Sequence, residues 1–390
     1  MNYILFDGPE RDHLLPLTFT RPVGELRIGI LTLKEKWEKY LGLTCSYLTQ
    51  DYLSKKYPLV DLDDNILINA SFLPTQHLVD TIKNLKKQEA LITDKNIIAL
   101  YTDPEKEIAL KDFKTLEYDK KIIHIERPYH LFTHNQHVLQ DDFNLLTQGR
   151  NSQPLSKTNQ ALNPENIFIE EGAEVEFSIL NASTGPIYIG KNAKILEGCL
   201  IRGGLALCEN SQLSMGTKIY GAVTVGPFSK IGGEVNNSVL IGYSNKGHEG
   251  FLGNAVLGEW CNLGADTNNS NLKNDYSEVK LWNYATHKFE KTGLQFCGLI
   301  MGDHSKCAIN TQFNTGTVVG VCANIFESGF PKDLVPSFSW GSSDEFQIKK
   351  AFEVMKKVMI RRNIEFTPTD AQILEHIFEQ TTQYRKQFIR

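Results

Sequence analysis

The sequence lacks the features that mark a membrane-spanning or secreted chain. It contains no run of eighteen or more apolar residues, which a membrane helix needs. Its first residues, MNYILFDGPERDHL, have neither a basic start nor a long apolar core. We therefore expect no membrane span and no signal peptide. The seven cysteines form an odd set without CxxC spacing, which is typical of reduced thiols and predicts a cytoplasmic protein.

Basic charge is also scarce. The 390 residues include 41 lysines and arginines against 46 aspartates and glutamates, which gives a net charge of -5. Proteins that bind nucleic acid usually have a basic patch or stripe, so this balance argues against a nucleic-acid partner. With 41% hydrophobic and 22% charged residues, the composition is that of a soluble globular protein.

What the sequence does have is an aliphatic residue at every sixth position from residue 189 to residue 231. The residues in this phase are Ile189, Ile195, Ile201, Leu207, Leu213, Ile219, Val225 and Ile231. Neither an α-helix nor an ordinary strand repeats with a period of six, whereas a hexapeptide β-helix does. Independent strands joined by Gly-rich turns are the alternative, but unrelated hairpins have no reason to share a phase. The phase returns at Met301, Cys307, Phe313, Val319 and Ile325, which predicts a β-helix that is interrupted and then resumes.

Residues 1–153 show a different pattern, in which short apolar runs alternate with helical periodicity. Strands are predicted at residues 3–6, 45–48, 65–69, 90–93, 97–101 and 121–125, and helices at residues 24–40 and 74–87. Such alternation predicts an α/β domain with a mainly parallel sheet. The first strand-to-helix connection of such a sheet usually binds phosphate. Arg11, Arg21 and Arg27 lie there and suit phosphate oxygens, although neighbouring arginines are also typical of a solvated face.

Two further segments complete the chain. A turn-rich stretch, SQPLSKTNQAL, connects the α/β domain to the predicted β-helix at residues 154–341. Residues 342–390 are predicted to form helices, the first with Ser342 and Glu345 spaced as a capping box and the second starting at Thr367 and Pro368. We expect them to cap the open end of the β-helix or to contact a neighbouring subunit.

The string DGPERDHLLPLTFTRPVGELRIG resembles the signature of the sugar nucleotidyltransferases. The residues that match are Pro16, Leu17, Thr18 and Pro22. Arg11 takes the place of the signature arginine, and the Gly-rich turn is reduced to Gly8. Val23 stands where the family has lysine, so the resemblance implies that Arg21 or Arg27 supplies the charge.

This family holds Mg²⁺ with an aspartate that follows a strand. In the corresponding segment, ILINASFLP, Asn69 and Ser71 are the candidates. Asn135, in LFTHNQHVLQDDF, takes the position of the second metal ligand, with Asp141 and Asp142 nearby. Asn69 and Asn135 are therefore the metal-site residues that the resemblance implies.

The hexad phase breaks after Ile231, and breaks in solenoids are where loops and sites are placed. This part contains His248, preceded by Lys246. Because an imidazole titrates near pH ~6.5, His248 could remove a proton from an attacking nucleophile, and Lys246 could hold a phosphate. A lone histidine is more often structural, however, and the asparagines that follow are most often turn residues.

The stretch SNKGHEGFLGNAVLGEWCNLGADTNNSN resembles the acetyltransferase site of the bifunctional enzymes that make UDP-N-acetylglucosamine. The resemblance implies that His248 is the catalytic base and that Asn271 lies beside the acetyl group and the sugar. Phe251 replaces a tyrosine of the family, and Lys246 is displaced by one position from a family lysine. A second stretch, GLIMGDHSKCAINTQF, resembles the later coils, which line the acetyl-CoA groove.

Taken together, the chain resembles a divergent member of this family with a shortened N-terminal domain. The fold implied is an α/β nucleotidyltransferase-like domain, a left-handed parallel β-helix of hexapeptide repeats and a C-terminal helical pair. The implied activity is acetyl-CoA-dependent N-acetylation of glucosamine 1-phosphate by a homotrimer, coupled to Mg²⁺-dependent uridylyl transfer from UTP to N-acetylglucosamine 1-phosphate.

Several alternatives stay open at this point. The chain could transfer a nucleotide to another sugar 1-phosphate, or bind a sugar nucleotide without catalysis. A β-helix trimer can also carry a zinc hydratase site made of three histidines, for which His248, His287 and His304 are available. Residues 275–298 leave the hexad phase and are predicted to form a hairpin. Its Trp282 and Tyr284 could contact an adjacent subunit or cover their own coil.

Overall fold

The structure, a computed structural model, describes residues 1–94, 96–103 and 110–389. The first part is an α/β domain, called the head. Its strands are β1 (Asn2–Phe6), β2 (Arg27–Ile28), β3 (Leu31–Thr32), β4 (Cys45–Leu48), β5 (Asn65–Asn69), β6 (Glu89–Thr93), β7 (Asn96–Tyr101) and β8 (Lys114–Glu117). Its helices are α1 (Glu10–His13), α2 (Leu33–Leu41), α3 (Asp51–Ser54), α4 (Gln76–Lys83), α5 (His130–Thr133) and α6 (Asn135–Thr147). The main sheet has the order β4-β1-β5-β7-β6-β8.

Most predicted elements of the head are present, and two differ. The predicted strand at residues 121–125 is wrong, since only an isolated bridge between Phe72 and His124 forms there. The predicted helix at residues 24–40 begins only at Leu33, because Thr32 and Glu35 form a capping box at that point. The residues before it form the β2–β3 hairpin, which packs against the second domain.

The second domain is a three-sided parallel β-helix, called the prism. Strands of its first face are Ile167–Ile169, Ile187–Ile189, Leu205–Leu207, Val223–Val225, Val239–Gly242, Val256–Glu259, Ile300–Met301, Val318–Val319 and Leu334–Val335. Strands of the second face are Glu174–Val175, Lys194–Ile195, Gln212–Leu213, Lys230–Ile231, Asn245–Lys246, Asn262–Leu263, Lys306–Cys307, Asn324–Ile325, Ser339–Trp340 and Asp344–Glu345. Strands of the third face are Gln160–Leu162, Ile179–Asn181, Leu200–Arg202, Lys218–Tyr220, Glu234–Asn236, Phe251–Gly253, Asn268–Asn269 and Gln312–Phe313. This architecture confirms the predicted fold class.

The six-residue period marks the inner core of the prism, as predicted. All of the aliphatic positions from Ile189 to Ile231, and those from Met301 to Ile325, are buried in one continuous cluster. The predicted interruption after Ile231 is wrong, because the strands keep pairing from coil to coil through this part. The phase shifts there because some of the coils are shorter than the regular eighteen residues.

The head lies along the first face of the prism. Leu139 and Phe143 of α6 pack against Phe168, Tyr188 and Ala206 of this face. The true excursion from the prism is the hairpin formed by Lys280–Asn283 and Lys288–Lys291. It shares a hydrophobic core with the head, the first face and the C-terminal helices.

The C-terminal helices are α7 (Ile348–Ile360), α8 (Pro368–Gln380) and α9 (Thr382–Phe388). Thr367 caps α8 with Asp370, as its sequence predicts. The predicted capping box at Ser342 is wrong, since Asp344–Glu345 forms a strand and Gln347 precedes α7. Among the described residues, every helix is too short or too polar to span a bilayer.

These helices and the hairpin close onto the head of the same chain. Trp282 and Tyr284 are buried, and both rings make edge contacts with Tyr384. Tyr52 of the head stacks on His376 at 4.1 Å between ring centroids. The aromatic residues of the hairpin therefore cover their own chain, which answers one of the alternatives left open by the sequence.

Candidate functional site

His248 lies at the corner between the second and third faces of the prism. The corner consists of residues 247–250, between strands Asn245–Lys246 and Phe251–Gly253. The side chain of His248 is exposed, and within the described part of the chain its imidazole makes no hydrogen bond. Gly233, on the coil before, has a φ of 75°, and a Cβ there would lie 2.8 Å from the carbonyl oxygen of Gly250. The small residue allows the two coils to approach closely beneath His248.

Lys246 points into the prism and not toward a substrate. Its side chain is 1% exposed. The ammonium donates to the carbonyl oxygens of Gly232 at 3.0 Å, His248 at 2.7 Å and Glu249 at 3.3 Å. Burial lowers its pKa to about 8. Because all three donors have partners inside the chain, the predicted role in holding a phosphate does not fit this geometry.

Phe251 and Asn271 lie together on the third face. The glycine at position 253 leaves room for both, since a Cβ there would collide with the Phe251 ring and lie 2.8 Å from the amide nitrogen of Asn271. That nitrogen donates to the side chain of Asn254 at 2.8 Å. Because Asn254 follows the strand Phe251–Gly253 and His248 precedes it, Asn271 and His248 are at opposite ends of this strand. Asn271 and Phe251 both lie next to Gly253, and Phe251 directly follows the corner that carries His248.

The neighbouring asparagines hold the backbone of this strand. Asn268 accepts from the amide of Phe251 at 2.7 Å. Asn269 accepts from the amide of Gly253 at 2.8 Å and donates to its carbonyl at 2.9 Å. These amide side chains are therefore bound to backbone and fix the face on which Phe251 lies.

The family resemblance implies that the oxyanion is stabilised by Asn271 or by backbone N–H groups near His248, and the corner contains four such groups, those of residues 247–250. Within the described part of the chain, the N–H groups of residues 247–250 donate no hydrogen bond. They adjoin His248 in the chain, and backbone N–H groups of this kind can donate hydrogen bonds to an oxyanion. A second signal in the sequence is the pair of glycines at 232 and 233, because adjacent glycines indicate a close approach between coils.

The three arginines of the head have partners within the chain. Arg11 donates to the carbonyl of Thr18 at 3.0 Å and to the hydroxyl of Tyr52 at 2.6 Å. Its side chain is buried. The predicted phosphate contact would require Arg11 to leave both partners.

Arg21 and Arg27 connect the head to the prism. Arg21 forms a buried ion pair with Asp303 and a second one with Glu259 at 3.3 Å. Although burial opposes the charged form, these two carboxylates raise the pKa of Arg21. Arg27 donates to the carbonyl oxygen of Ile241 at 3.2 Å. Both guanidinium groups therefore serve as docking contacts, and the structure does not place them together with Arg11.

The predicted metal ligands do not fit Mg²⁺. The side-chain oxygen of Asn69 accepts from the backbone amide of Ser71 at 3.0 Å and from its hydroxyl at 2.7 Å. The side-chain oxygen of Asn135 accepts from the amide of Gly29 at 2.7 Å and from Thr224 at 3.1 Å. Mg²⁺ requires free oxygen ligands, usually carboxylates. Among the residues that the structure describes, no group of three His, Cys, Asp or Glu side chains could hold a metal ion.

A carboxylate occupies the crevice at the carboxyl ends of β1 and β5. Glu10 is buried and contacts the ring of His124 at 2.9 Å and the amide of Asn69 at 3.3 Å. Burial alone would raise the pKa of Glu10, but the hydrogen bond from His124 leaves it below its ordinary value. A negative charge in this crevice opposes the binding of phosphate groups.

The three histidines considered for a zinc site lie in different surroundings. His304 is half-buried and stacks on Trp260, and burial lowers its pKa to about 3. His287 contacts the hydroxyl of Tyr384 at 2.9 Å. His248 is exposed at the corner, and His287 is exposed at the turn of the hairpin. In the stretch of residues 298–313 that resembles the coils of a coenzyme groove, residues 298–303 are buried and Asp303 pairs with Arg21 of the head, whereas Ile309, Asn310 and Gln312 are exposed.

Comparison with known proteins supports the resemblance seen in the sequence. Residues 3–151 match the model of a family described as sugar nucleotidyl transferase. The bifunctional protein GlmU of Methanocaldococcus jannaschii is 33% identical over 87 residues, which are 22% of this chain and 21% of that protein. The bifunctional sugar-1-phosphate nucleotidylyltransferase/acetyltransferase of Sulfurisphaera tokodaii is 33% identical over 100 residues, 25% of this chain and 24% of that protein.

A third relative aligns over a longer stretch at lower identity. The bifunctional protein GlmU of Rippkaea orientalis is 27% identical over 153 residues, 34% of this chain and 33% of that protein. The similarity therefore spans between a fifth and a third of the length of these relatives.

Proposed function

We propose that the prism catalyses acyl transfer from acetyl-CoA to the amine of an amino-sugar phosphate, with glucosamine 1-phosphate as the acceptor. The observation that carries the proposal is the exposed imidazole of His248 at a corner where, among the residues that the structure describes, neither the imidazole nor the backbone N–H groups have a hydrogen-bond partner. The bifunctional relatives, which by name include an acetyltransferase, support the same reaction class.

The proposed reaction is a direct transfer. The amine nitrogen attacks the thioester carbonyl, and His248 removes the proton that the nitrogen loses as the new amide bond forms. The tetrahedral oxyanion accepts hydrogen bonds from the N–H groups of residues 247–250 or from Asn271. Collapse of this intermediate breaks the carbon–sulfur bond and releases CoA. A cysteine acyl-enzyme is disfavoured, because all seven cysteines are buried and burial raises the pKa of Cys261 to about 12.

We propose that the site is completed in a homotrimer. The first face of the prism is covered by the head of the same chain. The edge of the prism that carries His248 also has exposed apolar side chains at the equivalent corners two coils before and two coils after, with Met215 68% exposed and Ile309 67% exposed, and the third face carries Leu200 at 49%. Packing of a second prism here would bury these side chains and would form one wall of a groove for the coenzyme. Light scattering of the purified protein gives the oligomeric state.

The test of the acyl transfer is direct. Purified protein is incubated with acetyl-CoA and glucosamine 1-phosphate, and the free thiol of CoA is measured with a thiol reagent. The proposal requires thiol release that depends on the amino sugar and is lost in His248→Ala. Unchanged release in the variant contradicts it.

The head has a second candidate function in sugar nucleotide binding. The family match over residues 3–151 favours it, and a pocket of about 680 Å³ adjoins Phe72, Lys121 and His124. Uridylyl transfer from UTP is tested by pyrophosphate release with N-acetylglucosamine 1-phosphate and Mg²⁺. Calorimetric binding of UDP-N-acetylglucosamine without such release supports a binding domain, and the same assay with other sugar 1-phosphates tests the remaining alternative.

A further inference from the structure

Lys246 occupies a position that is aliphatic or apolar on every neighbouring coil of the second face. In the register of this face it pairs with Ile231 on the coil before. Leu263 holds the same place on the coil after, and that residue pairs with Cys307. A lysine in such a column is costly, because its ammonium must leave water. The side chain therefore needs compensating hydrogen bonds inside the prism.

Those hydrogen bonds are made to the corner that carries His248. The ammonium lies 2.7 Å from the carbonyl oxygen of His248 and 3.3 Å from that of Glu249, and it also reaches Gly232 on the coil before at 3.0 Å. Within the described part of the chain, Lys246 is the only donor to the carbonyl oxygen of His248. The direction of this peptide group fixes the direction in which the side chain of His248 leaves the corner.

The other hydrogen bonds of the corner are made to the carbonyl groups of residues 247, 249 and 250. Ser214 donates to the carbonyl of Gly247 at 3.0 Å. The amide of Asp266 donates to the carbonyl of Glu249 at 3.1 Å, and the amide of Glu234 donates to that of Gly250 at 3.2 Å. These bonds tie the corner to its neighbouring coils, while among the described residues the peptide that follows His248 is held by the lysine alone.

We propose that Lys246 is the positioning residue for His248: its ammonium draws the carbonyl groups of the corner inward and so aims the imidazole outward at the acceptor nitrogen. The catalytic part of this inference rests on the proposed acyl transfer. The positioning itself is a property of the fold and can be measured without substrate. A pKa of about 8 keeps the lysine mostly charged at neutral pH, which strengthens each of the bonds to a carbonyl oxygen.

The variant Lys246→Met tests the inference, because methionine fills an apolar column but donates no hydrogen bond. Hydrogen exchange measured by mass spectrometry reports on the amides of Asp266 and Glu234, which donate to the corner. We expect these amides to exchange about tenfold faster or more in the variant, as expected for local loosening. Deuterium exchange at the imidazole carbon of His248 is expected to change as well.

Two matched variants serve as controls. Leu263→Met changes the next position of the same column, and Lys306→Met removes a largely buried lysine that donates to the carbonyl of His304 at 2.8 Å. Both should leave the exchange at Asp266 and Glu234 unchanged. If Lys246→Met does not fold, Lys246→Gln takes its place, because the glutamine amide retains two donors. We expect the exchange at Asp266 and Glu234 to rise in this variant too, but by a smaller factor.

The kinetic readout separates positioning from phosphate binding. If Lys246 aims the base, the variant lowers kcat by about 10- to 100-fold with little change in KM for the sugar phosphate, as a small misplacement of a catalytic group can cost this much. A raised KM with unchanged kcat and unchanged exchange would mean that the lysine binds the phosphate, and this overturns the inference. If the unmodified protein shows no acyl transfer, the proposed function fails, while faster exchange in the variant still supports the positioning role and unchanged exchange still refutes it.

Discussion

The ammonium of Lys246 lies 2.7 Å from the carbonyl oxygen of His248, two residues further along the chain. The first side chain points into the prism and is 1% exposed, whereas the second is exposed to solvent. Lys246 therefore contacts the corner from inside the prism, and His248 is the group that the proposed acyl transfer uses on the outside. Alternation along a strand would place residues 246 and 248 on the same side, so it is the tight corner after Lys246, where the strand ends, that turns His248 outward.

His248→Ala is expected to lower kcat for acyl transfer by about 10²- to 10⁴-fold, which is the usual contribution of a general base. The fold should be unaffected, because the side chain is exposed and makes no hydrogen bond within the described part of the chain. His137→Ala is the matched control, since this histidine is 71% exposed and pairs with Asp141 on α6. Its rate should equal that of the unmodified protein. Equal rates for both variants would falsify the assignment of the base.

Arg21→Ala is expected to destabilise the protein by about 3–5 kcal/mol, because it leaves the buried carboxylate of Asp303 without its partner. The free energy of unfolding is measured by urea denaturation, and limited proteolysis shows whether the head separates from the prism. Arg150→Ala, which breaks an ion pair with Glu170 in which the arginine is 47% exposed, should cost about 1 kcal/mol or less. A loss of phosphate affinity in Arg21→Ala without loss of stability would contradict the docking role.

Millimolar Mg²⁺ is expected to leave the melting temperature unchanged. The side-chain oxygens of Asn69 and Asn135 already accept hydrogen bonds from Ser71 and Gly29, and a ligand raises stability only if it binds the folded state. Thermal unfolding is followed with Mg²⁺ and with a chelator. A melting temperature that rises and saturates with Mg²⁺ would show that a metal site exists in the head after all.

The sequence predicted the prism well because its signal is local and repeated. Each hexad places one apolar side chain inward, so the phase from Ile189 to Ile231 was enough to identify the core. The same logic failed just after Ile231, where shorter coils shift the phase without ending the prism. The phase of the six-residue repeat depends on the number of residues in each coil. A coil with fewer residues therefore shifts the phase and looks, in the sequence, like an interruption of the prism.

The partners of polar residues could not be predicted in this way. Arg21 and Asp303 are 282 positions apart, and the hairpin and C-terminal helices return to the head from the far end of the chain. Nothing in the local pattern of either segment shows that the head lies along the first face. Arg21 and Arg27 were therefore candidates for binding phosphate, whereas in the structure they connect the head to the prism.

The last prediction concerns the pH dependence of stability that Lys246 introduces. Its pKa is lowered by burial from 10.5 in the unfolded chain to about 8 in the folded one. Below pH 8 both states hold the proton and the effect of this group is constant. Between pH 8 and 10.5 the unfolded chain binds more protons than the folded one, so this group makes the protein more stable as pH rises.

Thiols and phenols also titrate in this pH range. The contribution of Lys246 is therefore obtained by comparing the unmodified protein with a variant that lacks this lysine. The free energy of unfolding of the unmodified protein, minus that of Lys246→Met, is expected to rise by up to about 3 kcal/mol on going from pH 7 to pH 10.5. Leu263→Met retains the lysine and should show no such difference from the unmodified protein. A flat difference for Lys246→Met would mean that its ammonium has an ordinary pKa and hence remains in contact with water. The corner of His248 would then lack its inner support, and the imidazole would be free to take several directions.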